Sequence, residues 1–193
     1  MLPARLLRGM SDILAVIDRW LMTLLVALIA LLVLLNVGAR AMGYTVAWAD
    51  ELAVRSMILA AFPGAALLFR MRRDPSVQIL REMVATPVAR ILRGAASLAA
   101  LAFALLLLWM SWRWFQPLVF MNTGFDVREF QMATGNFIYS DVTPVMGVRS
   151  ALFFAIIPWF GLTLTVHALT SLAEDLGMLP RRDDDDHSTE VSA

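Results

Sequence analysis

The chain has 193 residues, 60% of them hydrophobic, with 16 arginines balancing 16 acidic residues to zero formal charge and with no lysine and no cysteine. Absence of cysteine excludes a disulfide framework, thiolate metal sites and cysteine nucleophiles together. The apolar residues gather into four stretches long enough to cross a bilayer, which identifies an integral membrane protein rather than a water-soluble domain.

In chain order, residues 1–19 read as an amphipathic segment, with Leu2, Leu6, Ile13, Ala15, Val16 and Ile17 offering apolar surface and Arg5, Arg8, Asp12 and Asp18 polar surface. It is expected to lie along the cytoplasmic interface. The first span, 20–39, is interrupted only by Thr23 and Asn36, and about 20 residues at 1.5 Å each match a hydrocarbon core of roughly 30 Å. Ala39-Arg40-Ala41 has the small-x-small pattern of a processing site, but the run before it exceeds a signal-peptide core and follows a segment bearing Asp12 and Asp18. The stretch is therefore expected to remain as a span.

Spans two, three and four are expected over 52–69, 91–115 and 151–172. All four runs are continuous rather than alternating, so each backbone must satisfy its hydrogen bonds within a helix, not in a barrel. Between spans two and three, residues 76–84 suit a short interfacial helix carrying Val77, Leu80 and Val84. The loop over 116–149 has turn signals at Asn122-Thr123-Gly124, Gly135-Asn136 and Thr143-Pro144. Phe120, Phe125, Phe130, Phe137, Ile138 and Tyr139 make it too apolar for a solvated linker, so it should pack on the membrane domain or on a partner. The end, 176–193, holds Asp183 to Asp186 in a row and reads as a disordered acidic tail, without the spaced ligands of a calcium loop. The fold class is all-α, with one four-span membrane domain over 20–175.

Arginine placement sets the topology. Eleven arginines fall before span one, between spans two and three, and after span four, against five on the opposite side. Such an excess places both termini and the 70–90 loop in the cytoplasm.

Ionisable groups within lipid are functional suspects, and the spans as drawn contain few. His167 is the only histidine deep in a span, whereas a haem bound within the bundle would need two. It reads as a hydrogen-bonded helix residue. No serine–histidine pattern in the sequence supports an intramembrane protease and no His-Glu-x-x-His supports a zinc peptidase, so no enzymatic activity, metal or cofactor is expected. Most tryptophans fall near span ends, as an aromatic belt requires. What remains is a polar knot formed by Asn36, Arg40, Trp48, Asp50, Glu51 and Arg55 at the facing ends of spans one and two. Asn36 and Arg40 share a helix face, Asp50 and Glu51 occupy a first turn where negative charge complements the helix dipole, and Glu51 and Arg55 are spaced i to i+4. Helix capping and a docking or hairpin-locking cluster are both compatible with this pattern.

At these residues the chain resembles a known family. Asn36-Val37-Gly38-Ala39-Arg40, then Trp48-Ala49-Asp50-Glu51, then Gly64-Ala65-Ala66 with Arg70 beyond, is similar to the small permease subunit, the DctQ-like component, of tripartite ATP-independent periplasmic (TRAP) transporters. That family usually shows Asn-x-x-x-Arg and Trp-x-Glu-Glu in a four-span chain. Asp50 stands where the first glutamate is usual, and Ser76-Val77-Gln78-Ile79 stands where a histidine commonly opens the segment after span two. The resemblance implies a small subunit in a bacterial inner membrane, a scaffold beside a large permease that carries the solute and sodium sites. A periplasmic binding protein captures the carboxylate-bearing solute. The expected partners are therefore those two proteins and membrane lipids, not nucleic acid. A free-standing assembly factor and a redox membrane anchor stay open as alternatives.

Overall fold

The computed structural model describes residues 2–71 and 86–179. The helix expected over 76–84 and the acidic tail from 181 onward lie outside the described residues. The architecture is all-α: α1 (Leu2–Ala41), α2 (Ala47–Met71), α3 (Thr86–Phe115), the short α4 (Pro117–Asn122) and α5 (Val127–Thr134), then α6 (Ala151–Phe154) and α7 (Ile156–Asp175). Among the described residues the only β feature is an isolated bridge between Val142 and Arg149. Four helical stretches are long and apolar enough to cross a membrane: Leu6–Ala41, Ala47–Met71, Gly94–Asn122 and Ala151–Asp175.

The amphipathic segment and the first span are one unbroken helix. At 1.5 Å per residue α1 is about 60 Å long, twice the thickness of a hydrocarbon core of about 30 Å. It ends because Gly43 takes the left-handed conformation (φ 86°), letting the amide of Tyr44 donate to the carbonyl of Ala39 at 3.2 Å. A five-residue turn then returns the chain into α2.

The fourth span steps instead at one residue, Ala155, whose backbone stays in the helical region (φ −58°, ψ −17°). Pro158 has no N–H and its ring crowds the carbonyl four residues back, that of Phe154, so α6 stops at Phe154 and α7 restarts at Ile156. Beyond that step α7 is the most enclosed of the four, with Gly161, Thr163, Leu164, His167, Ala168 and Glu174 among its buried residues. It touches α1, α2 and α3, while α1 and α2 form a close antiparallel hairpin and α3 packs chiefly on α7. Small residues set the spacing. A Cβ added at Gly161 would stand 3.2 Å from Leu108 Cα, so only hydrogen lets α3 approach that closely.

The 116–150 region folds on itself. Phe130, Ile138 and Ala151 form a buried cluster against which Phe115, Val119, Phe120, Tyr139 and Phe154 pack. Phe120 stacks on Tyr139 with centroids 3.9 Å apart, and the Tyr139 hydroxyl donates to the carbonyl of Phe115 at 2.8 Å. Asp126 caps α5, accepting from the amides of Arg128 (2.7 Å) and Glu129 (3.1 Å). Those two N–H groups hold its carboxyl below the usual carboxylate range, while burial pushes the Tyr139 phenol up. The region is an ordered cap seated on Phe115 and Phe154, matching the expectation that it packs on the membrane domain.

Candidate functional site

The helix-end geometry of the α1–α2 hairpin brings most of the polar knot together. Asn36 and Asp50 face each other across the hairpin because α1 and α2 run antiparallel from one tight turn. The Asn36 amide donates to Asp50 Oδ1, and Asn36 Oδ1 accepts from the amide of Val46 at 3.3 Å. Arg40 pairs with Asp50 Oδ2 at 3.1 Å, its side chain 61% exposed and that of Asp50 55% exposed. Beneath these groups Leu32 packs on Ala49 and Ala53, with Leu28, Val46 and Leu52 around them. Asp50 thus closes the hairpin, and the polar contacts sit over a small apolar plug.

Glu51 does something else. One carboxylate oxygen receives Arg55 at 3.2 Å, and the other accepts the backbone amides of Val145 and Met146 at 3.1 and 2.9 Å. Those amides are offered together because the turn that carries them is drawn tight, with the Thr143 amide donating to the carbonyl of Val148 and the Val148 amide donating to Thr143 Oγ1. Arg55 in turn lies over the ring of Phe153, 4.9 Å from its centroid. Adjacent residues therefore divide the work: Asp50 locks α1 to α2, and Glu51 with Arg55 ties α2 to the cap and to α6. Trp48 is not drawn in. It is 47% exposed.

A second polar cluster, at the other end of the bundle, escapes sequence reasoning. Ser11 and Asp18, both at most 1% exposed, face α7 from α1. Ser11 Oγ lies 2.8 Å from His167 Nδ1, Arg70 Nε donates to Ser11 Oγ at 3.3 Å, and Arg70 also pairs with Asp12. Two turns along, the Trp159 indole N–H donates to Asp18 Oδ1 at 2.8 Å. Ser97 of α3 reaches Asp175 at 2.8 Å. His167 is the hydrogen-bonded helix residue expected, but Trp159 serves as an interior donor rather than a belt residue.

Treating 1–19 as an interfacial segment hides this seam. Ser11, Ala15 and Asp18 recur at spacings of four and three, one helix face, and that face turns inward while Leu6, Met10, Ile13 and Val16 point out. An amphipathic stretch that continues a span can present its polar side to the bundle, since the apolar side is the one compatible with lipid.

Comparison with known families agrees with the order of motifs along the hairpin. The family model for tripartite ATP-independent periplasmic transporters, DctQ component, matches residues 29–177. The chain belongs to the DctQ family. It is thus a transporter component and not an enzyme, one of the membrane parts of a TRAP complex. Neither the curated proteins nor the solved structures compared contain a match. The matched region includes the whole knot and the cap, whereas Ser11, Asp12 and Asp18 precede it. The DctQ match therefore covers the α2 and α7 halves of the buried seam without its α1 half.

Proposed function

We propose that this chain is the scaffold subunit of a sodium-coupled TRAP transporter for carboxylate-bearing solutes. It sits beside the large permease in a bacterial inner membrane, with both termini cytoplasmic, and helps to dock the periplasmic solute-binding protein. The observation that carries this reading is the Glu51 carboxylate, which fastens a folded cap to the end of the α1–α2 hairpin. A cap held by both backbone and side-chain contacts is a rigid platform, and rigidity at a docking surface lowers the ordering cost of association. Charged groups at both ends of the bundle engage other groups of the protein, Arg40 with Asp50, Glu51 with Arg55 and the cap amides, Arg70 with Asp12 and Ser11, and Asp18 with Trp159, an arrangement suited to holding helices together. A transport site would instead use broken helices whose free ends coordinate solute and ions. Along α1, Leu24, Leu31, Leu34 and Val37 are 61–69% exposed, a long apolar stripe open to lipid or to a larger subunit.

Reconstitution tests the proposal. The purified chain alone should give no solute uptake in proteoliposomes, and it should co-purify with a large permease; uptake by this chain alone would refute the scaffold role. Reporter fusions after Arg182 should read cytoplasm and a fusion near Gly135 should read periplasm, as the arginine distribution requires.

A further inference from the structure

Contacts between helices fix the depth of the cap relative to the spans. Arg55 lies over Phe153 and the rings of Phe62 and Phe160 meet at 5.4 Å, so the start of the fourth span is level with the third turn of α2, not with its first. That level is also the level of Leu28 and Leu32 of α1, because Leu32 packs on Ala49 and Ala53. The neighbours Leu31 and Leu34, 65% and 69% exposed, belong to the lipid-compatible stripe of the first span. The buried centre of the cap, Phe130 and Ile138 on Ala151, therefore stands beside the apolar half of the hairpin instead of above its tip. Its tie from Val145 and Met146 to Glu51 reaches only the start of the second turn of α2.

The surface of the cap matches that depth. Leu118, Met121, Phe125, Met132 and Phe137 are 57–81% exposed, a set of large apolar side chains that a loop in water would not carry outward. Leu118 and Met121 lie on α4, which prolongs the third apolar stretch, Gly94–Asn122, past the left-handed kink at Gln116 (φ 43°). The exposed surface of α4 is thus continuous with that of a span. The charges of α5, Arg128 and Glu129, are borne on side chains long enough to reach the head-group layer from a helix lying beneath it.

We propose that residues 116–150 form a shelf seated in the bilayer leaflet on the α1–α2-turn side, with lipid acyl chains and glycerol backbones covering Leu118, Met121, Phe125, Met132 and Phe137. This placement does not depend on which solute the complex carries, and it narrows the docking surface of the proposed scaffold to the turn and the water-facing side of the cap. The shelf widens the hairpin end within the leaflet and leaves the turn at residues 42–46 as the part that rises into water.

The absence of cysteine from the chain makes the test direct. Single variants Leu118→Cys, Met132→Cys and Phe137→Cys, with Leu31→Cys as the lipid-facing reference and Tyr44→Cys as the turn reference, are labelled with an environment-sensitive fluorophore. The full chain is then reconstituted in liposomes, alone for the Leu31 reference and with its co-expressed transporter subunits for the shelf positions, using lipids brominated on the acyl chain. Bromolipid should quench the three shelf positions by at least half as much as Leu31, and aqueous iodide should quench them at least several-fold less than Tyr44. Iodide quenching equal to that at Tyr44, without bromolipid quenching, overturns the proposal. Shielding from both quenchers also overturns it, since protein would then cover the shelf. Hydroxyl-radical footprinting of the unsubstituted chain is a check that needs no variant. Met132 should be protected in liposomes relative to Met42 of the turn, both being exposed in the isolated chain, and equal reactivity would overturn the shelf.

Discussion

The two polar clusters of this protein differ in what surrounds them. At the α1–α2 turn the Arg40–Asp50 pair is more than half exposed, whereas Ser11, Asp18 and His167 at the other end are at most 1% exposed. An exposed pair exchanges water for a partner at little gain, while a polar atom shut inside a bundle has no water to return to when its partner is removed. Glu51 lies between these extremes. Its side chain is 11% exposed and serves three donors on two elements, so it resembles the buried seam although it is adjacent in sequence to Asp50. Charge pattern along a sequence is thus a poor guide to energetic weight, and enclosure is the better one.

The sharpest way to break this comparison is Trp159→Phe, which removes the indole donor from the fully buried Asp18 carboxylate. It should cost about 1–3 kcal/mol, measured as a loss of thermal stability in detergent, because the carboxylate keeps its desolvation without its donor. Adding Asp18→Leu to the Trp159→Phe background should recover part of that loss; a deeper loss would show that Asp18 supports the fold through a different contact. Next comes Glu51→Ala, which strands Arg55 against Phe153 and leaves the amides of Val145 and Met146 without their acceptor. Protease cleavage near residues 141–150 should accelerate clearly in this variant while the hairpin contacts of Asp50 persist, and unchanged cleavage would mean that the cap is held by its aromatic cluster alone.

A double-mutant cycle on Ser11→Ala and His167→Leu should return a coupling of about 0.6 kcal/mol and at most about 1.7, the average and maximum found for hydrogen bonds between membrane helices. Zero coupling would reduce the seam to packing. The cap offers a pH test. The depressed Asp126 carboxyl contributes stability that is fully present above the ordinary carboxylate pKa of about 4 and is lost as pH falls through its lower folded value. Asp126→Asn should keep the helix cap but remove that acid-side loss, seen as α5 amide protection, relative to intrinsic exchange rates, that no longer falls from pH 5 to pH 3. Smallest of all, Arg40→Ala should shift stability by only about 0.2–1 kcal/mol, less at high salt, since its pair is exposed. A shift as large as that of Trp159→Phe would reverse the ranking of the two ends.

Four apolar runs, their helical character and the i to i+4 pairing of Glu51 with Arg55 were legible in the sequence, because hydropathy, backbone satisfaction in lipid and the 3.6-residue period are local rules that act on neighbouring residues. The motif order that leads to the DctQ family is likewise linear. The meeting of Asn36 with Asp50 was half legible, since a five-residue turn leaves two helix ends little choice but to face each other. What the tertiary structure alone decided was the fate of residues far apart in the chain. Whether Ser11 and Asp18 face water, lipid or α7 depends on α1 continuing unbroken into the first span and on Pro158 and Gly161 setting the course and approach of the fourth. The second carboxylate oxygen of Glu51 finds its donors 94 and 95 residues away, a separation over which no periodicity operates. Helices form from local sequence, but which of their polar faces become interior is fixed only when the helices pack.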